Sequence, residues 1–144
     1  GEAKTERLQA EAANFMRTNG VREGVESTSS GLQYERLRHG IGATPQLADS
    51  VVVHHEGKLT SGHVFDSSIA RGTPAEFRLR HVVLGWAEGL RLMREGGKMH
   101  LTIPPDLAYG SGGTDGVPPL AVMIFEVELL EVKPALAVQA PNPR

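Results

Sequence analysis

Across 144 residues the groups that could act as acids, bases, nucleophiles or ligands are present but badly spaced for it. The six histidines, His39, His54, His55, His63, His81 and His100, show neither HxH nor HExxH spacing. His54 and His55 are adjacent in a β-branched run, so a strand sends them to opposite faces and they cannot chelate one ion together. Cys is absent, which excludes a thiolate nucleophile and a thiolate metal site. A Ser/His/Asp set can be drawn from Ser67, Asp66 and any histidine, but there is no GxSxG elbow, and chance alone supplies such sets. The run Gly110 to Gly116 (GSGGTDG) leads into Pro118-Pro119 rather than a Lys-Ser/Thr pair and a helix. It reads as a surface loop, not a phosphate cradle. No metal and no cofactor is expected.

The aromatic residues are few: Phe15, Phe65, Phe77, Phe125, Tyr34, Tyr109 and Trp86. Five sit in tight phrases: Phe65-Asp66-Ser67-Ser68, Phe77-Arg78-Leu79, Gly85-Trp86, Leu107-Ala108-Tyr109-Gly110 and Ile124-Phe125-Glu126-Val127. For any one of them a place in the core is the simplest account.

The elements that must position these residues can be read from periodicity. Leu8, Ala12, Phe15 and Met16 form one apolar stripe, which predicts a helix over 2–18 with Asn19-Gly20 as its stop. A lone helix of that length is marginal in water, so the stripe packs on the domain body, on an upstream domain or on a second copy. Residues 21–30 are polar and read as a linker. Strands are expected at Leu32–Leu37, Ser50–Leu59, Lys98–Ile103 and Ala121–Val132, with one or two helical turns over Gly85–Met93. Strands without regular intervening helices indicate an antiparallel sheet, and one helix packed across a curved sheet buries both apolar faces. The segment 134–144, with Pro134, Pro141 and Pro143, reads as an extended or flexible tail.

Lys and Arg total 15 against 17 Asp and Glu, a net charge of −2 that argues against nucleic acid as the default partner. No apolar run approaches the ~20 residues needed to cross a bilayer. Gly1 in place of Met points to an upstream segment removed or to a trimmed end.

Taken together, the phrases resemble the FK506-binding protein family of peptidyl-prolyl isomerases. The likeness runs from about Ser30 to Lys133. It is carried by VVVHHEGKLTSGHVFDSS (51–68), GWAEGLRLMREGGKMHLTIPPDLAYG (85–110), GVPP (116–119) and AVMIFEVELLEVKP (121–134). The helix running into SSGLQY (29–34) is similar to the bacterial branch of macrophage infectivity potentiator and FkpA-like proteins. The resemblance implies an α+β fold: a curved antiparallel sheet of five to six strands wrapped around one short helix, preceded by an N-terminal helix. It divides the chain into helix 1–20, linker 21–30, isomerase domain 31–133 and tail 134–144.

For the site, the resemblance implies Trp86 as the floor of an apolar pocket and Phe65, Phe125, Val82 and Val83 as its walls. Tyr109 would donate its hydroxyl to a ligand carbonyl, and the backbone N–H of Val117 would bind a second one. Asp66 would be the pocket carboxylate with Arg71 as its ion-pair partner. Phe77 belongs to the rim. Two positions depart from the pattern: His55 stands where the family commonly has Tyr, and Ala75 where a bulky apolar residue is usual. The implied partners are X-Pro polypeptides and macrolides of the FK506 and rapamycin type. A homodimer through the N-terminal helix and a periplasmic or outer-membrane-associated location, with a part in virulence, come with the branch. Asp66 has two readings, polarising the substrate carbonyl or pairing with Arg71 to shape the wall, and the second is favoured because a buried carboxylate needs a partner. His55 also has two, a pH-sensitive pocket group or a solvent-facing strand residue.

Overall fold

The computed structural model describes residues 1–135. Helix α1 (Glu2–Gly20) leads into strands β1 (Val25–Ser27), β2 (Gln33–Arg38), β3 (Ser50–Lys58) and β4 (Val64–Ser67). One turn of helix, α2 (Ser68–Arg71), then β5 (Ala75–Arg78), helix α3 (Leu84–Leu90), β6 (Lys98–Ile103) and β7 (Met123–Lys133) complete the order. Every strand pairing is antiparallel, in the order β1-β2-β6-β7-β3-β4, with β5 also against β3. Thus β3 is shared along one edge: Ser50–Val53 pair with β5 and Glu56–Lys58 with β4. The expected architecture is present. The sheet has seven strands, because the short β1, β4 and β5 join those that alternation marks.

Alternation determines the buried face. Val51, Val53, His55 and Gly57 of β3 point inward, as do Met99, Leu101 and Ile103 of β6 and Met123, Phe125, Val127 and Leu129 of β7. Against this face α3 lays Trp86 and Leu90, four residues apart on one side of the helix. Two glycines let the helix lie very close. A Cβ on Gly85 would stand 2.5 Å from Ile103 Cγ2, and one on Gly89 2.7 Å from both Leu101 methyls.

The segment 21–30, expected as a linker, carries β1, which pairs with β2 through Val25↔Glu35 to Ser27↔Gln33. Helix α1 runs to Gly20, but not by the expected left-handed stop. Val21 caps it at φ −92°, and the missing Cβ of Gly20 instead admits Gln33 Nε2, which a Cβ would meet at 2.8 Å. Gln33 Nε2 donates to Met16 O at 2.7 Å, and buried Asn19 Nδ2 donates to Gln33 Oε1 (2.8 Å) and Thr102 Oγ1 (3.2 Å). This network fixes the end of α1 to β2 and β6. The apolar stripe of α1 faces its own body. Leu8, Ala12 and Phe15 oppose Leu59 and Pro118–Val122, while Ala12, Ala13 and Met16 oppose Pro104, Pro105 and Leu120. Residues 136–144, most of the expected tail, lie outside the described residues. Among those described, no helix is long and apolar enough to cross a membrane.

Gly85→Ala tests the helix-to-sheet spacing. Helix propensity alone favours Ala by about 0.8–1 kcal/mol, whereas overpacking against a β-branched side chain costs about 1–3 kcal/mol. A net loss of stability is expected, read as a lower urea midpoint at unchanged slope. A raised midpoint would mean the layers separate more easily than this contact implies.

Candidate active site

One end of the buried face is left uncovered. There a cavity of about 360 Å³ is lined by His55, Phe65, Asp66, Phe77, His81, Val82, Val83, Trp86, Tyr109, Met123 and Phe125. A cleft of about 410 Å³ between α1 and the body is larger, but Phe15 is its one aromatic residue. The first cavity is the candidate because aromatic walls and a few fixed polar groups meet there.

Each wall has a structural cause. Trp86, near the start of α3, is 4% exposed and meets Phe77 and Phe125 edge-on at 5.1 and 5.2 Å between ring centroids. Phe65 of β4 meets Phe125 edge-on at 5.6 Å. Both rings lie over Gly57, where a Cβ would come within 2.4 Å of Phe125 Cε1 and 2.8 Å of Phe65 Cζ. Tyr109 follows the 3-10 turn Pro105–Leu107 and stands 44% exposed at the mouth.

The polar corner comes from the phrase after Phe65. Asp66 Oδ1 accepts from Arg71 Nη1 at 2.7 Å, and Asp66 Oδ2 lies 2.7 Å from His55 Nε2. Ser67 Oγ accepts from Ala70 N at 3.0 Å and so caps α2, which holds Arg71 in place. Ser68 is fully buried, its Oγ accepting from His55 N at 2.8 Å and lying 2.9 Å from His54 Nδ1. The hydroxyls near these histidines are therefore structural, and Asp66 pairs with the imidazole on the other face of β3. No Ser-His-Asp relay exists here. Burial by itself would raise the Asp66 carboxyl. Hydrogen bonds and charge from Arg71 and His55 outweigh it and hold the group below the usual carboxylate range.

Of the residues expected at the site, His55, Phe65, Asp66, Phe77, Val82, Val83, Trp86, Tyr109 and Phe125 line the cavity. Arg71 touches it through Asp66 alone, and Ala75 lies outside the lining, on β5 opposite Val53. Val117 requires a correction. Its N–H donates to Thr114 O at 3.0 Å and Thr114 N donates back to Val117 O at 2.9 Å, so it has no free donor for a ligand. By contrast Val83, at the cavity wall just before α3, takes no acceptor for its N–H among the described residues. Sequence reasoning missed His81 and Met123, which line the cavity, and Gly57, which lies beneath it. The inward phase of β3 and β7 was the available signal for Met123 and Gly57. His81 offered none. Among the described residues no three ligand-type side chains converge on a metal position.

The structure thus sets a short helix across a half-open antiparallel sheet, with an aromatic cavity at one end. Residues 42–130 match the family model for FKBP-type peptidyl-prolyl cis-trans isomerase, and residues 1–35 match the domain amino terminal to it. The chain belongs to the FKBP-type peptidyl-prolyl cis-trans isomerase family. It is 50% identical over 126 residues to the FKBP-type 22 kDa peptidyl-prolyl cis-trans isomerase of Escherichia coli K12, covering 87% of this chain and 61% of that protein. It is 49% identical over 113 residues to FkpA of the same strain, covering 78% of this chain and 42% of that one. The crystal structure of E. coli FkpA superposes with a TM-score of 0.89 at 42% identity, over 94% of this chain and 63% of that one. The chain thus spans about half the length of these curated relatives.

If this cavity takes a proline peptide, Gly57→Ala is expected to displace Phe65 and Phe125 and weaken that binding by about tenfold, the equivalent of one misplaced wall contact at about 1.4 kcal/mol. Calorimetric titration reads it. Unchanged affinity in a folded variant would show that the rings are free to move aside. Asp66 sets an acid limit. A carboxyl lowered in the folded state adds stability above its unfolded value, about 3.9, and loses it as pH falls through the lower folded value. The stability gap between the wild type and Asp66→Asn, from urea melts, should be widest at neutral pH and close below pH about 3.9. A gap that does not vary with pH would remove the carboxylate's ionic role.

Proposed function

We propose that this chain catalyses cis–trans rotation about X-Pro peptide bonds by holding the proline in the cavity above Trp86. The observation that carries this reading is the cavity itself: an indole floor, Phe65 and Phe125 as walls, the Tyr109 hydroxyl at the mouth, and on Val83 a backbone N–H without an acceptor among the described residues. Rotation faces a barrier of ~18–20 kcal/mol because resonance gives the C–N bond double-bond character. No bond breaks, so neither a nucleophile nor a metal is required. The twisted transition state has lost resonance and is less dipolar than the planar amide. An apolar, water-poor cavity penalises the planar state more, which is differential binding of the transition state. Tyr109 and Val83 would fix the flanking carbonyls. Asp66 shapes the wall, since both its oxygens are already engaged by Arg71 and His55.

The same proposal extends to macrolides of the FK506 and rapamycin type as competing ligands and to assistance in folding exported proteins. A periplasmic setting rests on the likeness to FkpA-type proteins. Pairing of two copies through α1 also belongs to it, and light scattering over a range of concentrations tests that part.

The deciding experiment is cis-to-trans exchange of a Leu-Pro-Phe peptide by NMR, with and without macrolide. Accelerated exchange abolished by the macrolide is expected. Macrolide binding without acceleration would leave a proline-binding module in place of an enzyme. Among variants, Tyr109→Phe should lose about 2–10-fold, the worth of one hydrogen bond, and Trp86→Phe at least as much. Asp66→Ala should lose less than either Tyr109→Ala or Trp86→Ala. An equal or larger loss at Asp66 would assign the carboxylate a direct part in turnover.

A further inference from the structure

The inward phase of β3 puts an imidazole where the rest of the cavity is aromatic or apolar. His55 is 1% exposed and packs against Trp86, Phe77 and Phe125 at 5.3, 5.6 and 6.2 Å between centroids. Its Nε2 faces Asp66 Oδ2, and its Nδ1 is buried without a partner among the described residues. A neutral imidazole carries one N–H. Asp66, kept ionised by Arg71, accepts only, so that proton belongs on Nε2 and Nδ1 is a bare lone pair. Protonation puts a second N–H on Nδ1, among rings that offer no acceptor. An unmatched donor on a buried charge costs far more than an unmatched lone pair.

The titratable and charged groups facing this imidazole come from few directions. Asp66 of β4 is in contact, and Arg71 of α2 lies behind it on the other oxygen. His81 and Tyr109 share the cavity, from the segment before α3 and the loop after β6. The facing residues of β5, α3 and β7 are Phe77, Trp86 and Phe125 and carry no charge.

We propose that His55 is a positioning residue that makes the proline cavity acid-responsive: neutral, it holds Asp66 and completes the wall beside Trp86; protonated, its Nδ1–H must find an acceptor, and the ring moves against Trp86 and Phe125. The consequence for turnover rests on the isomerase reading, but the movement does not. A tyrosine at this point would donate to Asp66 just as well and would stay neutral until pH about 10. The histidine therefore adds a response that a phenol lacks.

Trp86 is the single tryptophan of the chain, so tryptophan emission reports on its surroundings, His55 among them. Emission and macrolide affinity are followed from pH 8 to 5 in the wild type, His55→Tyr, His55→Gln and His81→Gln. Gln keeps a donor toward Asp66 without a titrating ring. In the wild type and His81→Gln, emission and affinity should fall together as the pH is lowered. Both should stay flat in His55→Tyr and His55→Gln. Long-range ¹H–¹⁵N spectra at pH 8 should place the His55 proton on Nε2. A transition that survives in His55→Gln, one lost in His81→Gln, a flat wild type or a proton on Nδ1 would each overturn the proposal. An emission transition in a wild type that does not accelerate prolyl exchange would sink the isomerase reading and leave this one standing.

Discussion

Trp86 meets three rings edge-on, from three different strands: His55 of β3, Phe77 of β5 and Phe125 of β7. Such pairs contribute ~0.5–1.5 kcal/mol each beyond the area they bury, and they are directional, so the indole is held in angle as well as in depth. That arrangement requires α3 to sit close against the sheet. The glycine immediately before Trp86 permits it, because Ile103 occupies the space a side chain there would need. The Gly85-Trp86 pair therefore does two jobs in adjacent positions, bringing the helix in and turning its largest side chain toward the open end of the sheet. Without the first, the second would leave a gap beneath the indole.

The polar corner is equally local. Within Phe65 to Arg71 the chain supplies an aromatic wall, a carboxylate, a helix cap, a buried hydroxyl that pins β3, and the guanidinium that balances the carboxylate. The one-turn helix is the device that folds Arg71 back on Asp66, and the Ser67 cap makes that turn affordable in so short a segment. A serine, a histidine and an aspartate in contact range elsewhere signal hydrolysis. Here the hydroxyls are bound to backbone and buried, and the carboxylate faces the opposite side of β3 from the histidine that contacts Ser68.

The parts of the fold legible in the sequence are those whose own pattern decides their state. Met99, Leu101 and Ile103 alternate cleanly, and the span Lys98–Ile103 is a strand as read. The short β1, β4 and β5 have too few residues to show a period, and they are strands because β2 and β3 present open edges to them. The histidine pair was half legible. Adjacency requires opposite faces, but Val51, Val52 and Val53 are all apolar, so the sequence does not say which phase of β3 points inward. The register with β7, where His55 stands opposite Val127 and Gly57 opposite Phe125, decides it. Gly20 shows the converse error. Its residue type suggested a left-handed turn, whereas its actual use is to let a glutamine side chain approach the helix.

Val117 marks the limit of residue-by-residue transfer. Whether a backbone N–H is free depends on how the surrounding loop closes, and a side-chain identity carries no record of that. The loop after Tyr109 closes on itself. Leu120 N donates to Gly110 O at 2.8 Å, Gly113 N to Tyr109 O at 3.1 Å, and Thr114 and Val117 exchange a reciprocal pair. Gly113, at φ +65°, makes this possible, since a Cβ there would stand 2.6 Å from Val117 O. A stretch that reads as a loose glycine-rich loop is thus a compact turn whose own groups satisfy these donors. Under the isomerase reading, recognition of peptide carbonyls then falls to groups outside that turn: the Tyr109 hydroxyl at its base and the Val83 N–H just before α3. Both residues line the same cavity as the Trp86 indole.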